Sequence, residues 1–152
     1  MQRQPRVSIA EQRKPTILVG VSGSPASAAA LRWAEDEAER RHGELKIVLI
    51  WQPERRASYA RPPQLADGHA GQEHARRELA DTIRAVLGQR PLHDATTVVV
   101  EGRAERELVA ESAGADLLVL GSGSGMSIGP VVRTCLSHAQ CPVVVVSPPG
   151  GK

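Results

Sequence analysis

Two segments rich in glycine and serine carry the residue types best suited to bind an anion. One contains Ser22, Gly23 and Ser24, and the other, residues 121–129, contains four glycines and three serines. Glycine lets several backbone N–H groups face one point, and a helix that begins there adds the positive end of its dipole. Glycine also supplies the positive φ of tight strand-to-helix turns. The two segments therefore predict either a phosphate-binding loop or two ordinary turns.

The common nucleotide-binding fingerprints are absent. The motif G-x-x-x-x-G-K-[ST] needs a Gly-Lys pair, and the chain has one only at Gly151-Lys152, its last two residues. The motif G-x-G-x-x-G, started at Gly121 and Gly123, would need glycine where Met126 stands. Any phosphate site here must therefore follow another pattern.

Other chemistry-bearing residues favour structural roles. His69 and His74 could form a metal pair, but no third ligand accompanies them. Cys135 and Cys141 lack CxxC or zinc spacing and are expected to be reduced, small buried apolar residues. His138 ends a predicted helix, where a cation suits the dipole. The spacing assigns no Ser/His/Asp set, and we expect neither a catalytic residue nor a metal ligand.

Composition excludes several classes of partner. The 152 residues carry a net charge of +2 with basic and acidic residues interspersed, which is not typical of a DNA-binding stripe. There is no Phe, and the aromatic residues are only Trp33, Trp51 and Tyr59, too few for the series of stacking contacts by which proteins bind single-stranded nucleic acid. The chain shows no signal-peptide core and no apolar run long enough to span a membrane. We expect a cytoplasmic protein that binds neither nucleic acid nor membrane.

The hydrophobic pattern alternates between strands and helices, which predicts a parallel α/β sheet. The predicted strands are residues 16–20, 45–51, 95–100, 116–121 and 142–146. The first predicted helix starts at Pro25, the second has its inward residues within 75–87, the third within 108–113, and the last covers 130–139. A long loop covers 53–71. The fold class is a five-stranded parallel sheet with helices on both faces, a Rossmann/flavodoxin-like three-layer sandwich. One domain should span residues 14–148, between disordered tails at 1–13 and 149–152.

Four stretches of the chain carry a resemblance to a known family. They are ILVGVSGSPAS at 17–27, Glu101-Gly102 after the third strand, GADLLVLGS at 114–122 and LSHAQCPVVVV at 136–146. Over residues 14–147 the chain resembles the universal stress protein family. That resemblance implies a cytoplasmic bacterial-type domain with strand order 3-2-1-4-5, usually homodimeric and used under stress. Many members bind ATP or a related adenine nucleotide without being conventional enzymes.

The chain departs from the pattern of the family's nucleotide-binding members at three points. Those members have an Asp at the end of strand one, where this chain has Ser22. They also carry G-2x-G-9x-G-[ST]; Gly121 can serve as the first glycine, the second falls on Ser124, and the last pair aligns with Gly129 and Pro130 in a loop five residues shorter. Pro130 offers neither an N–H nor a hydroxyl. Two lost charge-assisted hydrogen bonds would weaken binding about a hundredfold or more.

These departures leave alternatives open for the site. The nucleotide-binding residues that the resemblance implies are Gly20, Val21, Ser22, Trp51, Gly121, Ser122, Ser124, Gly125, Gly129 and Val131. One interpretation is a non-enzymatic regulatory module whose adenine-nucleotide site is remodelled and weak or lost. Another is retained binding of ATP, with Mg²⁺, or of AMP. A remote third is an ATP-pyrophosphatase-like enzyme, since residues 22–27 faintly resemble its loop S-G-G-x-D-S, with Ser24 for the second glycine and Ala26 for the Asp.

The last strand predicts a partner. In the expected strand order Val143–Val146 lies at a sheet edge, and neither a charge nor a proline interrupts its four valines. Antiparallel pairing with the same strand of a second copy would satisfy its open backbone groups. We expect a homodimer formed through this strand.

Overall fold

The computed structural model describes residues 13–53, 68–89, 92, 94–123 and 128–148. Its strands are β1 (Thr16–Val21), β2 (Glu44–Trp51), β3 (Ala95–Glu101), β4 (Leu117–Gly121) and β5 (Val143–Val146). Its helices are α1 (Pro25–Arg40), α2 (Gly68–Leu87), α3 (Ala104–Ser112) and α4 (Pro130–His138). Of the predicted tails, 1–13 and 149–152, all residues except Arg13 lie outside the described residues.

All strand pairs are parallel, and the sheet order is β3-β2-β1-β4-β5. The predicted fold class and strand order are therefore confirmed. Because the chain order reverses at β1, its carboxyl end and that of β4 flank the crevice where doubly wound sheets bind ligands.

Each face of the sheet has its own aliphatic core. On one face, Ile17, Val19 and Val21 of β1 pack with α1 and α2; we call this the α1/α2 core. On the other, Leu18, Val48 and the helices α3 and α4 form the α3/α4 core. Successive side chains of a strand point to opposite faces of the sheet, so neighbouring residues of one strand belong to different cores.

Helix α1 begins as the sequence predicted. The Ser24 side chain accepts a hydrogen bond from the Ser27 N–H at 3.1 Å, which is N-capping, and Pro25 follows at the first helical position. Gly43 lies just beyond the helix end. A Cβ there would be 2.4 Å from the Pro15 carbonyl oxygen, so this turn requires glycine for space.

Helix α2 begins earlier than predicted. The sequence placed residues 68–71 in a glycine-containing loop, whereas the structure has them in the first turn of α2. Gly71 lies directly beneath the Trp51 ring: a Cβ on Gly71 would be 2.5 Å from Trp51 Cζ3. The glycine is therefore a contact point between helix and strand, which local propensity does not show.

Two ion pairs attach the start of the chain's described part to the amino ends of the strands. Arg13 donates to both carboxylate oxygens of Asp116, at 2.9 and 3.2 Å, and Lys14 pairs with Asp94. Arg13, predicted to belong to the tail, thus contacts the sheet. Within the described residues, no helix combines the length and hydropathy needed to cross a bilayer.

Candidate functional site

A cavity of about 210 Å³ opens at the carboxyl ends of β1 and β4, on the α3/α4 side of the sheet. Its rim is polar and includes Ser22, Ser24 and Ser122, while its floor is aliphatic. The described lining residues are Gly20, Val21, Ser22, Ser24, Ser27, Val48, Ile50, Ala104, Leu108, Leu120, Gly121, Ser122, Gly123 and Val131. Its position is that of the ligand crevice of doubly wound sheets.

The serine loop that precedes α1 is held together by its own hydroxyls. Ser27 Oγ accepts from the Ser22 N–H at 2.8 Å, and Ser24 Oγ accepts from the Ser27 N–H at 3.1 Å. Both backbone donors are already used, so this loop does not offer them to an anion. The Ser22 hydroxyl, which lines the cavity, donates to Ser24 Oγ at 3.4 Å.

The end of β4 approaches the start of α1 very closely. A Cβ on Gly121 would lie 2.4 Å from the Ala26 carbonyl carbon and 2.7 Å from the Ser27 nitrogen. Glycine at 121 therefore sets how near this strand end lies to the helix. The next amide, Ser122 N–H, donates to the Val146 carbonyl at 2.9 Å and extends the pairing with β5.

Helix α4 begins at the predicted proline. Pro130 is at its first position, and Gly129, in extended conformation, is an N-cap without a side-chain hydrogen bond. The Gly129 carbonyl accepts from the Arg133 N–H at 3.0 Å. Val131, the next residue, lines the cavity with an aliphatic side chain.

Comparison with known proteins identifies the family. The family model described as "Universal stress protein family" matches residues 15–147. The chain belongs to the universal stress protein family. This confirms the resemblance found in the sequence.

Individual family members agree with this assignment. A universal stress protein of Mycobacterium tuberculosis is 36% identical over 142 residues, which are 90% of this chain and 47% of the relative. A solved family member from Burkholderia pseudomallei is 30% identical with a TM-score of 0.62, covering 86% of this chain and 94% of that one. A universal stress protein crystallised in complex with cAMP is 25% identical with a TM-score of 0.60, covering 88% and 97%. This chain spans about half the length of the curated relatives it matches.

The structure brings six of the ten predicted site residues together around the cavity: Gly20, Val21, Ser22, Gly121, Ser122 and Val131. Two others, Ser124 and Gly125, lie outside the described residues. Gly129 caps α4 without being among the lining residues. The remaining residue, Trp51, lies on the opposite face of the sheet.

Strand parity explains the position of Trp51. Leu45, Ile47 and Leu49 of β2 point into the α1/α2 core, and Trp51, two residues further, packs against the same core. The cavity is lined instead by Val48 and Ile50, the alternate residues. The resemblance did not indicate these two residues, nor Leu108 of α3, although the alternation along β2 contains the signal for the first two.

The site carries no charge among its described lining residues. The family's Asp position is Ser22, and no cluster of three or more His, Cys, Asp or Glu side chains that could hold a metal occurs in the part of the chain that is described. Of the two histidines considered as a metal pair, His74 is exposed on α2, and the side chain of His69 lies outside the described part of the structure. Cys135 is buried as expected, whereas Cys141 is only half-buried. Burial raises the pKa of both thiols, which disfavours the reactive thiolate.

Proposed function

We propose that this chain is a non-enzymatic binding module of the stress response whose cavity takes an adenosine group with at most one phosphate, such as AMP or cAMP. Mg-ATP binds this site only weakly. The observation that carries the proposal is the uncharged lining of the cavity at the carboxyl ends of β1 and β4.

The chemistry of a triphosphate supports this distinction. ATP brings several negative charges and a divalent cation, and Mg²⁺ prefers carboxylate and phosphate oxygens. The described lining offers serine hydroxyls and aliphatic groups. Placing unpaired charges against such a surface is unfavourable, since a buried charge needs a partner. A nucleoside monophosphate brings a single phosphate and no cation, so less charge needs a partner than with Mg-ATP. The serine hydroxyls can bind its ribose, and the aliphatic lining can contact its base.

The described part of the cavity is too small to enclose a nucleotide with three phosphates. Its volume of about 210 Å³ is below the roughly 300–1,000 Å³ usual for ligand pockets. A family member that is 25% identical was crystallised with cAMP, a ligand with a single phosphate. This comparison supports the ligand class proposed for the present chain.

Thermal unfolding with each nucleotide tests the proposal. A ligand at 100 times its dissociation constant should contribute ~2.7 kcal/mol, a rise of several degrees for a domain of this size. We expect such a rise with millimolar AMP or cAMP and less than about one degree with Mg-ATP. MgCl₂ alone, at the same concentration, is the control for added salt. GMP, at the same concentration, is the control for recognition of adenine.

The variant Ser22→Asp sharpens the test, because it restores a carboxylate at the end of β1. It should increase the stabilisation by Mg-ATP and leave that by cAMP unchanged or smaller. A rise of several degrees with Mg-ATP in the unaltered chain would contradict the proposal, as would no response to any adenine nucleotide.

We also propose that a second copy of this chain is its partner, paired through β5. Leu118 and Ser122 N–H donate to the Pro142 and Val146 carbonyls, so these residues face β4. By alternation, Val143 and Val145 present their N–H and C=O groups to the open edge. The valines of β5 are only half-buried, and Leu136 on the adjacent α4 is 50% exposed. A second β5 would cover this apolar edge.

A further inference from the structure

A second cavity of the described structure lies at the other edge of the sheet, between α2 and β3. Its volume is about 810 Å³, roughly four times that of the candidate nucleotide site. We name it the β3 groove and define it by Arg76, Leu79, Ile83 and Arg84 of α2 together with Thr97 and Val99 of β3.

Within the described sheet, β3 is an edge strand, and its unpaired edge forms one wall of the β3 groove. The Gly102 N–H donates to the Trp51 carbonyl and the Asp94 carbonyl accepts from the Leu45 N–H, so even-numbered residues face β2. The odd-numbered residues of β3 therefore direct their N–H and C=O groups away from the sheet. Thr97 and Val99, both in the groove, belong to this set. Such an edge is a template for another strand.

The other wall is the side of α2 that faces the groove, and it carries two basic side chains with apolar side chains between them. Arg76 and Arg84 are exposed on α2, while Leu79 and Ile83 form the stretch between them. No acidic side chain occurs among the described lining residues. Arg84 pairs with Asp81 at 3.1 Å, but both side chains are more than half exposed, so this ion pair is easily exchanged. The charge of the groove favours an acidic occupant.

The spacing of the two arginines matches an extended strand. They are eight residues apart on the helix, about 12 Å along its axis. Two residues four positions apart in a strand are about 13 Å apart and point to the same face. A strand that pairs with β3 could thus place one carboxylate near each arginine and an apolar side chain, two positions from both, over Leu79 and Ile83.

We propose that the β3 groove binds an extended acidic segment of a partner protein, which adds a strand to β3. The segment has the pattern acidic-x-apolar-x-acidic. Its backbone pairs with Thr97 and Val99, and its two carboxylates pair with Arg76 and Arg84.

This chain itself does not supply the segment. Residues 54–67 contain three arginines, a single glutamate and a single aspartate at their two ends, and two prolines. The pattern occurs once in the whole sequence, at Glu107, Val109 and Glu111. Those residues belong to α3 and are not available as a strand. The proposal therefore commits to a partner segment that lies outside residues 1–152.

The test is fluorescence anisotropy with a labelled, end-blocked peptide, Thr-Glu-Thr-Val-Thr-Glu-Thr. A second peptide has lysine in place of both glutamates, and a third has N-methyl groups at the backbone amides that a strand pairing needs. We expect the first peptide to bind with the unaltered chain and the other two to bind at least about tenfold more weakly.

Variants of the protein locate the site. Arg76→Glu should weaken binding about tenfold, because it turns an attraction into a repulsion. Arg77→Glu changes the net charge equally on the next residue of α2, which does not line the groove, and should change binding less than threefold. The double variant Arg76→Glu, Arg84→Glu should prefer the lysine peptide.

Four results would overturn the proposal. Equal loss in Arg76→Glu and Arg77→Glu would show non-specific charge attraction. Full binding of the N-methylated peptide would show a site for small anions without strand pairing. No binding up to 1 mM peptide would exclude the acidic segment. If no peptide binds and Arg76→Glu changes the self-association of the chain, measured by light scattering, the groove binds a second copy of this chain instead.

Discussion

The carboxylate of Asp116 joins the amino ends of two strands. It accepts hydrogen bonds from the Arg13 guanidinium and from the Thr16 N–H at 2.8 Å, while the backbone N–H of Asp116 donates to the Thr16 carbonyl. The Arg13 hydrogen bond, followed by that from Thr16, holds the pKa of Asp116 below its ordinary value. The side chain that begins β4 therefore also fixes the start of β1.

This lowered pKa predicts a pH dependence of stability. A carboxyl group whose pKa is lower in the folded state stabilises the fold above its unfolded pKa, about 3.9, and the contribution is lost as the pH falls toward the folded pKa. Asp116→Asn should therefore lose less stability between pH 5 and pH 3 than the unaltered chain, by about 1 kcal/mol after allowance for partial exposure.

Urea unfolding at a series of pH values measures this difference. The matched control is Asp36→Asn, which changes an exposed aspartate on α1 and should keep the slope of the unaltered chain. Identical slopes for all three proteins would contradict the role assigned to Asp116.

Residue types alone predicted only part of the site. Ser22 and Gly121 could be placed because they follow predicted strands in a known kind of crevice. Trp51 lies on the same face of β2 as Leu45, Ile47 and Leu49, because every second side chain of a strand points the same way. Its position can therefore be predicted only when the face of the whole strand is known. Leu108 reaches the cavity from α3, which is separated from β1 by most of the chain, so no local pattern in the sequence indicates it.

At the scale of elements, the approach of β4 to α1 depends on one missing side chain. Gly121→Ala would place a methyl group 2.4 Å from the backbone of Ala26, which cannot move without shifting the helix. We expect a loss of about 2 kcal/mol in the free energy of unfolding, as for overpacked cores.

Gly114→Ala is the control for this prediction. A Cβ on Gly114 meets nothing within 4 Å, so its effect in urea unfolding should be within about 0.5 kcal/mol. If Gly121→Ala is as stable as Gly114→Ala, the two elements are not held together as closely as described.

The elements themselves were largely predictable, because strand and helix periods and the turn residues agree along most of the chain. Each strand differs from its predicted bounds by one residue at one end, which is within the usual uncertainty of such boundaries. The start of α2 was not predictable. Glycines at 68 and 71 indicate a loop locally, and the ring of Trp51, which packs on Gly71, is contributed by a strand that precedes the predicted loop.

At the scale of the whole molecule, the two edge strands decide how copies of the chain can associate. Val145→Lys places a charge on β5 where the proposed dimer would bury it without a partner. The variant should be monomeric or insoluble, whereas Thr96→Lys, at an exposed position on the other edge strand, should keep the dimer.

Light scattering with size-exclusion chromatography measures both variants. The unaltered chain should have twice the mass of one subunit at micromolar concentration. A monomer under those conditions would show that β5 does not pair with a second copy.

The strand order also has a consequence for valency. Pairing through β5 would make a continuous sheet of ten strands with a β3 edge at each end, about 43 Å apart at the usual strand spacing. A partner that carries two acidic segments on a linker able to span that distance would engage both ends at once. The second contact would then be intramolecular, and the pair could hold far more tightly than either segment alone. Dimerisation at one edge would thereby set the avidity of recognition at the other.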